Sequence, residues 1–129
     1  MSAFSDSLGV SASGLKAQSH RLRIVAENVA NTDTPGYRGK TVAFSEAIER
    51  TGLAQVIVDK VALDRRAGEQ IFDPGHPLAD ASGHYTGSNV DLIVEIADAR
   101  EAQRSYEANL KMFDQARQMS SGLMDLLRK

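Results

Sequence analysis

Residues 89–127, NVDLIVEIADAREAQRSYEANLKMFDQARQMSSGLMDLL, decide the fold. The stretch holds no proline, and its one glycine, Gly122, sits near the end. Apolar residues return every third or fourth position, at Leu92, Ile96, Ala99, Ala102, Tyr106, Leu110, Phe113, Ala116, Met119, Leu123 and Leu126. That is the period of one helical face. Arg100, Glu101, Arg104, Glu107, Lys111, Asp114 and Arg117 fall between them and belong in water. Ser88-Asn89-Val90-Asp91 has the form of a capping box and predicts that the helix opens there. About 36 residues at about 1.5 Å each make a rod of roughly 54 Å. A compact domain of this length has a radius of gyration of about 14 Å, hence a diameter of about 36 Å. The helix outruns any globule the chain could build, so its apolar face calls for a second long helix and for neighbouring subunits.

Phe4 to Asn31 is the second helix in the pattern. Leu8, Leu15, Leu22 and Val29 fall seven apart, with Phe4, Ser11, Gln18 and Val25 between them, which reads as a heptad seam. Serines and the glycines Gly9 and Gly14 make its first half a poor helix by itself. Asn28 and Asn31 suit a helix end, because Asn tolerates the left-handed C-cap conformation. Pro35 then forbids further helix, and Pro35-Gly36 supplies the fixed φ and the positive φ of a type II turn, with Tyr37 packing beside it.

The span from Thr41 to Gly87 is the least regular. Phe44–Ile48 is expected to form a short helical turn, and Gln55–Leu63, with Val56, Val58 and Val61, a strand. Arg65-Arg66-Ala67-Gly68 marks a turn, Asp73-Pro74-Gly75-His76-Pro77 a loop, and Asp80–Ser88 more loop. The expected fold is therefore mainly α: an antiparallel pair of long terminal helices forming a coiled-coil strut, with a small irregular, β-containing middle. The expected divisions are 1–40, 41–88 and 89–129.

Composition removes several functions. The 129 residues carry a net charge of -2, which gives no electrostatic reason to expect nucleic acid or an anionic membrane. No cysteine is present, so disulfides, thiolate metal sites and a cysteine nucleophile are excluded. No apolar run approaches the roughly 20 residues of a membrane span, and the first residues lack the basic and apolar regions of a cleavable signal. His76, Asp80 and His84 are spaced by four, but Pro77 and Gly83 keep that segment from being a helix that would align them on a metal. The three histidines form no triad spacing, and Gly9 and Gly14 lack the lysine and strand of a phosphate loop. Glu95, Asp98 and Glu101 read as a wet helical face. Neither a cofactor nor a catalytic residue is expected.

The string Ala26-Glu27-Asn28-Val29-Ala30-Asn31-Thr32-Asp33-Thr34-Pro35-Gly36-Tyr37-Arg38 resembles the N-terminal signature of the bacterial flagellar rod and hook proteins. Arg104-Ser105-Tyr106-Glu107-Ala108-Asn109 is similar to the motif in that family's long C-terminal helix, and Asp73 to Asp80 resembles a loop of its proximal-rod members. Ser88-Asn89-Val90-Asp91 leans toward one of two sister types of proximal-rod protein. Tyr106 to Asn109 and the short length favour the other. The resemblance implies a non-catalytic subunit whose terminal helices pair and stack into an axial tube. Its partners would be copies of itself, other rod subunits and the flagellar type III export apparatus, with no nucleic acid and no membrane insertion. A rod crossing the periplasm and carrying torque would result, exported without a cleaved signal. On that reading Asn28, Ala30, Asn31, Thr34, Pro35, Gly36 and Tyr37 form the family turn. Helix pairing and assembly would fall to Leu8, Leu15, Leu22, Val25, Val29, Leu92, Ile96, Tyr106, Asn109, Leu110, Phe113, Met119 and Leu123. Val10, Ile24, Ile93, Met112 and Leu127 would be left for neighbouring copies. The rival readings are a cytoplasmic coiled-coil adaptor or export chaperone, stably folded alone, and a small hydrolase, which would need a polar pocket that the sequence does not suggest.

Overall fold

The computed structural model describes residues 2–48 and 54–128. Residues 49–53 of the expected middle segment lie outside them. Helix α1 runs Ser2–Ala30 and helix α2 runs Leu92–Arg128, 29 and 37 residues. At about 1.5 Å per residue they are rods of roughly 44 and 56 Å. Arg21 on α1 reaches Asp98 at 3.2 Å and Glu101 at 3.5 Å on α2, while Gly14 lies against Asn109. Ala3, Phe4 and Ser7 lie beside Met112, Gln115, Ala116 and Met119. The helices are therefore antiparallel, and the last two turns of α2 run on past the start of α1. Every residue from 121 to 128 is exposed.

The buried seam is small-sided over the first half of α1 and on α2, and larger toward the end of α1. On α1 it is Ser11, Gly14, Ala17, Ile24, Val25 and Asn28, and on α2 Ala102 and Ala116. Leu8, Leu15 and Leu22 sit half-buried on its shoulders, and Val29 is exposed. The heptad seam drawn from the sequence is thus rotated toward its small members, because close approach of two helices buries residues that do not hold the backbones apart. Ile24, expected on an outer flank, is buried. It lies beside Val25, Val42, Phe44 and Val94, where α1, α2 and the middle segment meet. Packing on two sides explains how a segment rich in serine and glycine stays helical over its whole length.

The middle segment is two antiparallel ribbons. Strand β1, Lys40–Ile48, pairs with β2, Ala54–Leu63, from Lys40 opposite Leu63 to Ile48 opposite Ala54, with a bulge at Ala43/Phe44. The helical turn expected at Phe44–Ile48 is therefore strand. Phe44 faces Val58 and Ser45 faces Ile57, so cross-strand packing outweighs local preference. β2 lies along α1, where the Ser13 hydroxyl accepts the Val56 N–H at 3.2 Å. Strand β3, Gln70–Phe72, pairs with β4, His84–Thr86. Residues 84–86, expected as loop, are strand. A ribbon of three-residue strands is weak by itself. Here the loop between its strands is pinned by stacking of His76 on Tyr85, ring centroids 3.9 Å apart, and by the Asp80 carboxylate, which accepts from Ser82 and from the His84 N–H.

Two helix ends differ from the sequence reading. The capping box expected at Ser88 is not used: α2 opens at Leu92, with the Asp91 carboxylate accepting the Ile93 N–H at 3.1 Å. Asn28 and Asn31 are not left-handed, since among the described residues only Gly36 and Gly83 have positive φ. Asn31 instead closes α1 by donating from backbone and side chain to Glu27 O. No helix among the described residues is long and apolar enough to cross a membrane.

Candidate functional site

The polar centre of the molecule is the corner where α1 ends, the ribbons leave and α2 begins. Pro35 and Gly36 make the expected turn: the Tyr37 N–H donates to Thr34 O at 3.1 Å, and Gly36 has φ of +73°. Thr34 is steadied by Asn31, whose side-chain oxygen accepts its hydroxyl at 3.0 Å. The turn returns the chain over the last turn of α1 and sets Tyr37 beside Asn28.

Asn28 is 1% exposed and nearly saturated. Its amide oxygen accepts the Tyr37 hydroxyl and the Lys40 N–H, both at 2.9 Å, and its amide nitrogen donates to Lys40 O at 2.9 Å. One buried side chain thereby fixes both the turn and the first residue of β1. Lys40 Nζ lies 2.5 Å from Glu27 Oε1, and that bond holds the ammonium above its usual range. Burial raises the Tyr37 hydroxyl, with the Glu27 carboxylate adding to it and Lys40 opposing. Burial likewise raises Glu95 on α2, partly offset by a hydrogen bond from Asn28, with Asp98 adding to the rise.

Asn89 repeats this role for the other helix. Its side-chain oxygen accepts the Gly39 N–H at 2.7 Å, and its nitrogen donates to Asp64 O at 3.1 Å and Arg66 O at 2.9 Å. The Ser88 hydroxyl donates to Thr32 O, and the Gly36 N–H to Thr86 O at 3.1 Å. Arg66 grips the Asp64 carboxylate through Nε and Nη2 and holds it below the usual carboxylate range. Segments around residues 28, 36, 64, 86 and 89 are thus stitched together mainly through backbone groups. Sequence reading singled out Asn28, Asn31, Thr34, Pro35, Gly36 and Tyr37. It missed Glu27, Lys40, Asp64, Arg66 and the roles of Ser88 and Asn89. Asn89 had been placed inside the expected capping box, and nothing local in the sequence marked its partners. Ala30 is exposed at the end of α1.

The residues assigned to helix pairing divide by burial. Val25 is buried; Leu8, Leu15, Leu22, Tyr106, Asn109 and Phe113 are half-buried; Val29, Leu92, Ile96, Leu110, Met119 and Leu123 are exposed. Val10, Ile93, Met112 and Leu127 are exposed as well. The chain leaves a long row of apolar side chains uncovered while its polar corner is tightly satisfied. The polar atoms of His76, Asp80 and His84 serve the β3–β4 loop itself: His76 Nδ1 accepts the Leu78 N–H, and His84 lies against Ser82 and Phe72.

A thin strut with a rigid corner and bare apolar helix ends is the form of a subunit made for assembly. Comparison with known proteins agrees. Residues 8–38 match the family described as flagella basal body rod protein, and residues 81–126 match the C-terminal family of the flagellar basal body rod FlgEFG proteins. The chain is 44% identical to the flagellar basal-body rod protein FlgC of Agrobacterium fabrum, over 92% of this chain and 91% of the relative. It is 39% identical to FlgC of Yersinia enterocolitica, over 81% and 84%, and 34% identical to FlgC of Salmonella typhimurium, over 85% and 87%. The chain belongs to the FlgC family of flagellar basal-body rod proteins.

Proposed function

We propose that this chain is a structural subunit of the flagellar basal-body rod which polymerises through its terminal helices into a shaft carrying motor torque across the periplasm. The observation that carries the assembly mechanism is the pairing of a saturated corner, around Asn28 and Asn89, with uncovered apolar residues along α2. The corner fixes the angle of the ribbons to the strut. The bare residues give each subunit surface that only a neighbour can cover. A contact that does not close on itself extends into a helical shaft. Uncovered apolar area is worth about 25 cal/mol per Å2, so repeated contacts outweigh a weak single one. The family's role implies export by the flagellar type III apparatus, with the chain unfolded in transit, and association with other rod subunits. A marginal α1 suits such transit, since little structure has to be undone.

Deleting the coding segment should leave cells without rods beyond the inner membrane and without motility. Leu110→Asp should leave expression and helical content intact, because Leu110 is exposed, and should abolish rod assembly. Normal rods in that variant would refute assembly through the α2 face.

A further inference from the structure

Charge is segregated along this chain in a way that the pairing of its helices does not use. Residues 7–26, on α1, carry Lys16, Arg21 and Arg23 and no acid. Residues 67–87, the β3–β4 ribbon and its loop, carry Glu69, Asp73 and Asp80 and no lysine or arginine. Arg21 pairs with Asp98 and Glu101, whereas Lys16 and Arg23 have no ion pair among the described residues.

The basic span borders a cavity of about 510 Å3 between α1 and β2. Gly9, Ala12, Ala17 and Val56 give it apolar walls, Lys16 and His20 line it as well, and no acid does. The Val56 N–H points away from β1, toward the Ser13 hydroxyl on α1. Val58 sits two residues further on, opposite Phe44, so the alternation of the ladder turns its N–H to the same side. His20 Nδ1 is buried with no partner among the described residues. A cavity with small apolar walls and surplus donors suits an apolar side chain flanked by carboxylates and chain carbonyls.

The tip of the β3–β4 ribbon has that chemistry. Leu78 is 64% exposed and Phe72 66%, with Asp73 and Asp80 beside them in the chain. The tip is also stiff. Pro74 and Pro77 restrict its backbone, His76 stacks on Tyr85, and the Asp80 carboxylate holds Ser82 and His84. A preformed tip loses little freedom on docking. Within one subunit Leu78 and Phe72 stay exposed, so the tip and the groove that meet belong to two copies.

We infer that the β3–β4 tip of one copy, led by Leu78, docks in the α1–β2 groove of an adjoining copy, its carboxylates facing Lys16. Tip against groove is a heterologous contact, so it runs on from copy to copy rather than closing a dimer. This rests on the rod reading above and gives the ribbons, whose angle the corner fixes, a surface to meet.

The test places a photoreactive phenylalanine analogue at position 78 of the full-length chain in cells, followed by irradiation, isolation of basal bodies and sequencing of the adduct. The expected product has the mass of two chains and joins residue 78 to residues 9–20 or 55–58 of the second copy. Lys16→Glu, at an exposed position, should lower that yield by roughly twofold to fivefold, the size of one exposed charge contact, and adding Asp73→Lys should restore it. A second measurement exploits a chain without cysteine. Ala12→Cys together with Leu78→Cys should give an oxidised ladder of copies, and either change alone should not. Adducts elsewhere on a neighbour, a double variant that enters basal bodies without forming the ladder, or a yield indifferent to Lys16→Glu overturn this inference alone. Absence of the unsubstituted chain from basal bodies overturns the rod reading itself.

Discussion

Gly14 rests directly on Asn109: a methyl group added at Gly14 would lie 2.9–3.0 Å from three atoms of the Asn109 amide. The amide is not free to swing aside without loss, because its nitrogen donates to Ser105 O at 3.0 Å. Helix propensity alone favours Gly14→Ala by about 1 kcal/mol. The close approach opposes it, and larger residues should cost about 1–3 kcal/mol as overpacking. Gly14→Ala should therefore destabilise the otherwise unchanged chain and stabilise it in an Asn109→Ala background. A thermal double-mutant cycle reads the change of sign; the same sign in both backgrounds would show that the contact does not govern the seam.

Asn28→Leu keeps the number of side-chain heavy atoms and strands the Tyr37 hydroxyl, the Lys40 N–H and the Lys40 carbonyl. Stranding these half-buried groups should cost about 2–4 kcal/mol, while Tyr37→Phe, which removes one bond, should cost about 1 kcal/mol. Chemical denaturation measures both, and equal losses would mean that Asn28 matters only for packing.

Gly36 has positive φ and no atom within 4 Å of a would-be Cβ. Gly36→Ala therefore tests backbone conformation without any clash. It should lose about 1–2 kcal/mol, and Gly36→Asn should lose less.

The raised pKa of Glu95 fixes the sign of one pH effect. Desolvation is its main cause, so the native state holds the Glu95 proton more tightly than the unfolded chain does. This group's contribution is most favourable below its ordinary value of 4.5 and declines as pH rises through the folded value. Glu95→Gln should raise the thermal midpoint at pH 7 relative to the parent, and the gain should shrink by pH 4. Asp64, held low by Arg66, acts the other way, its contribution declining as pH falls through its folded value.

The long α2 was legible because an apolar period of three and four sustained over 37 residues has no rival reading. The turn at Pro35-Gly36 was legible because only glycine meets its φ easily. The stitching around Asn89 was not, because its partners, Gly39, Asp64 and Arg66, are 23 or more residues away and leave no periodic trace. The seam was rotated because leucine spacing drew the eye, while Ser11, Gly14 and Ala17 take the centre. β4 was missed because three residues are too few to show alternation.

Ser11, Gly14 and Ala17 facing a helix that buries Ala102 and Ala116 also govern how much circumference one subunit occupies. Side chains this slight bring helix axes toward the lower end of the usual ~8–10 Å separation. A narrow pair lets a ring of given girth admit more copies, and draws the ring tighter when their number is fixed, so in the assembly proposed above a few missing methyl groups bear on the gauge of the shaft.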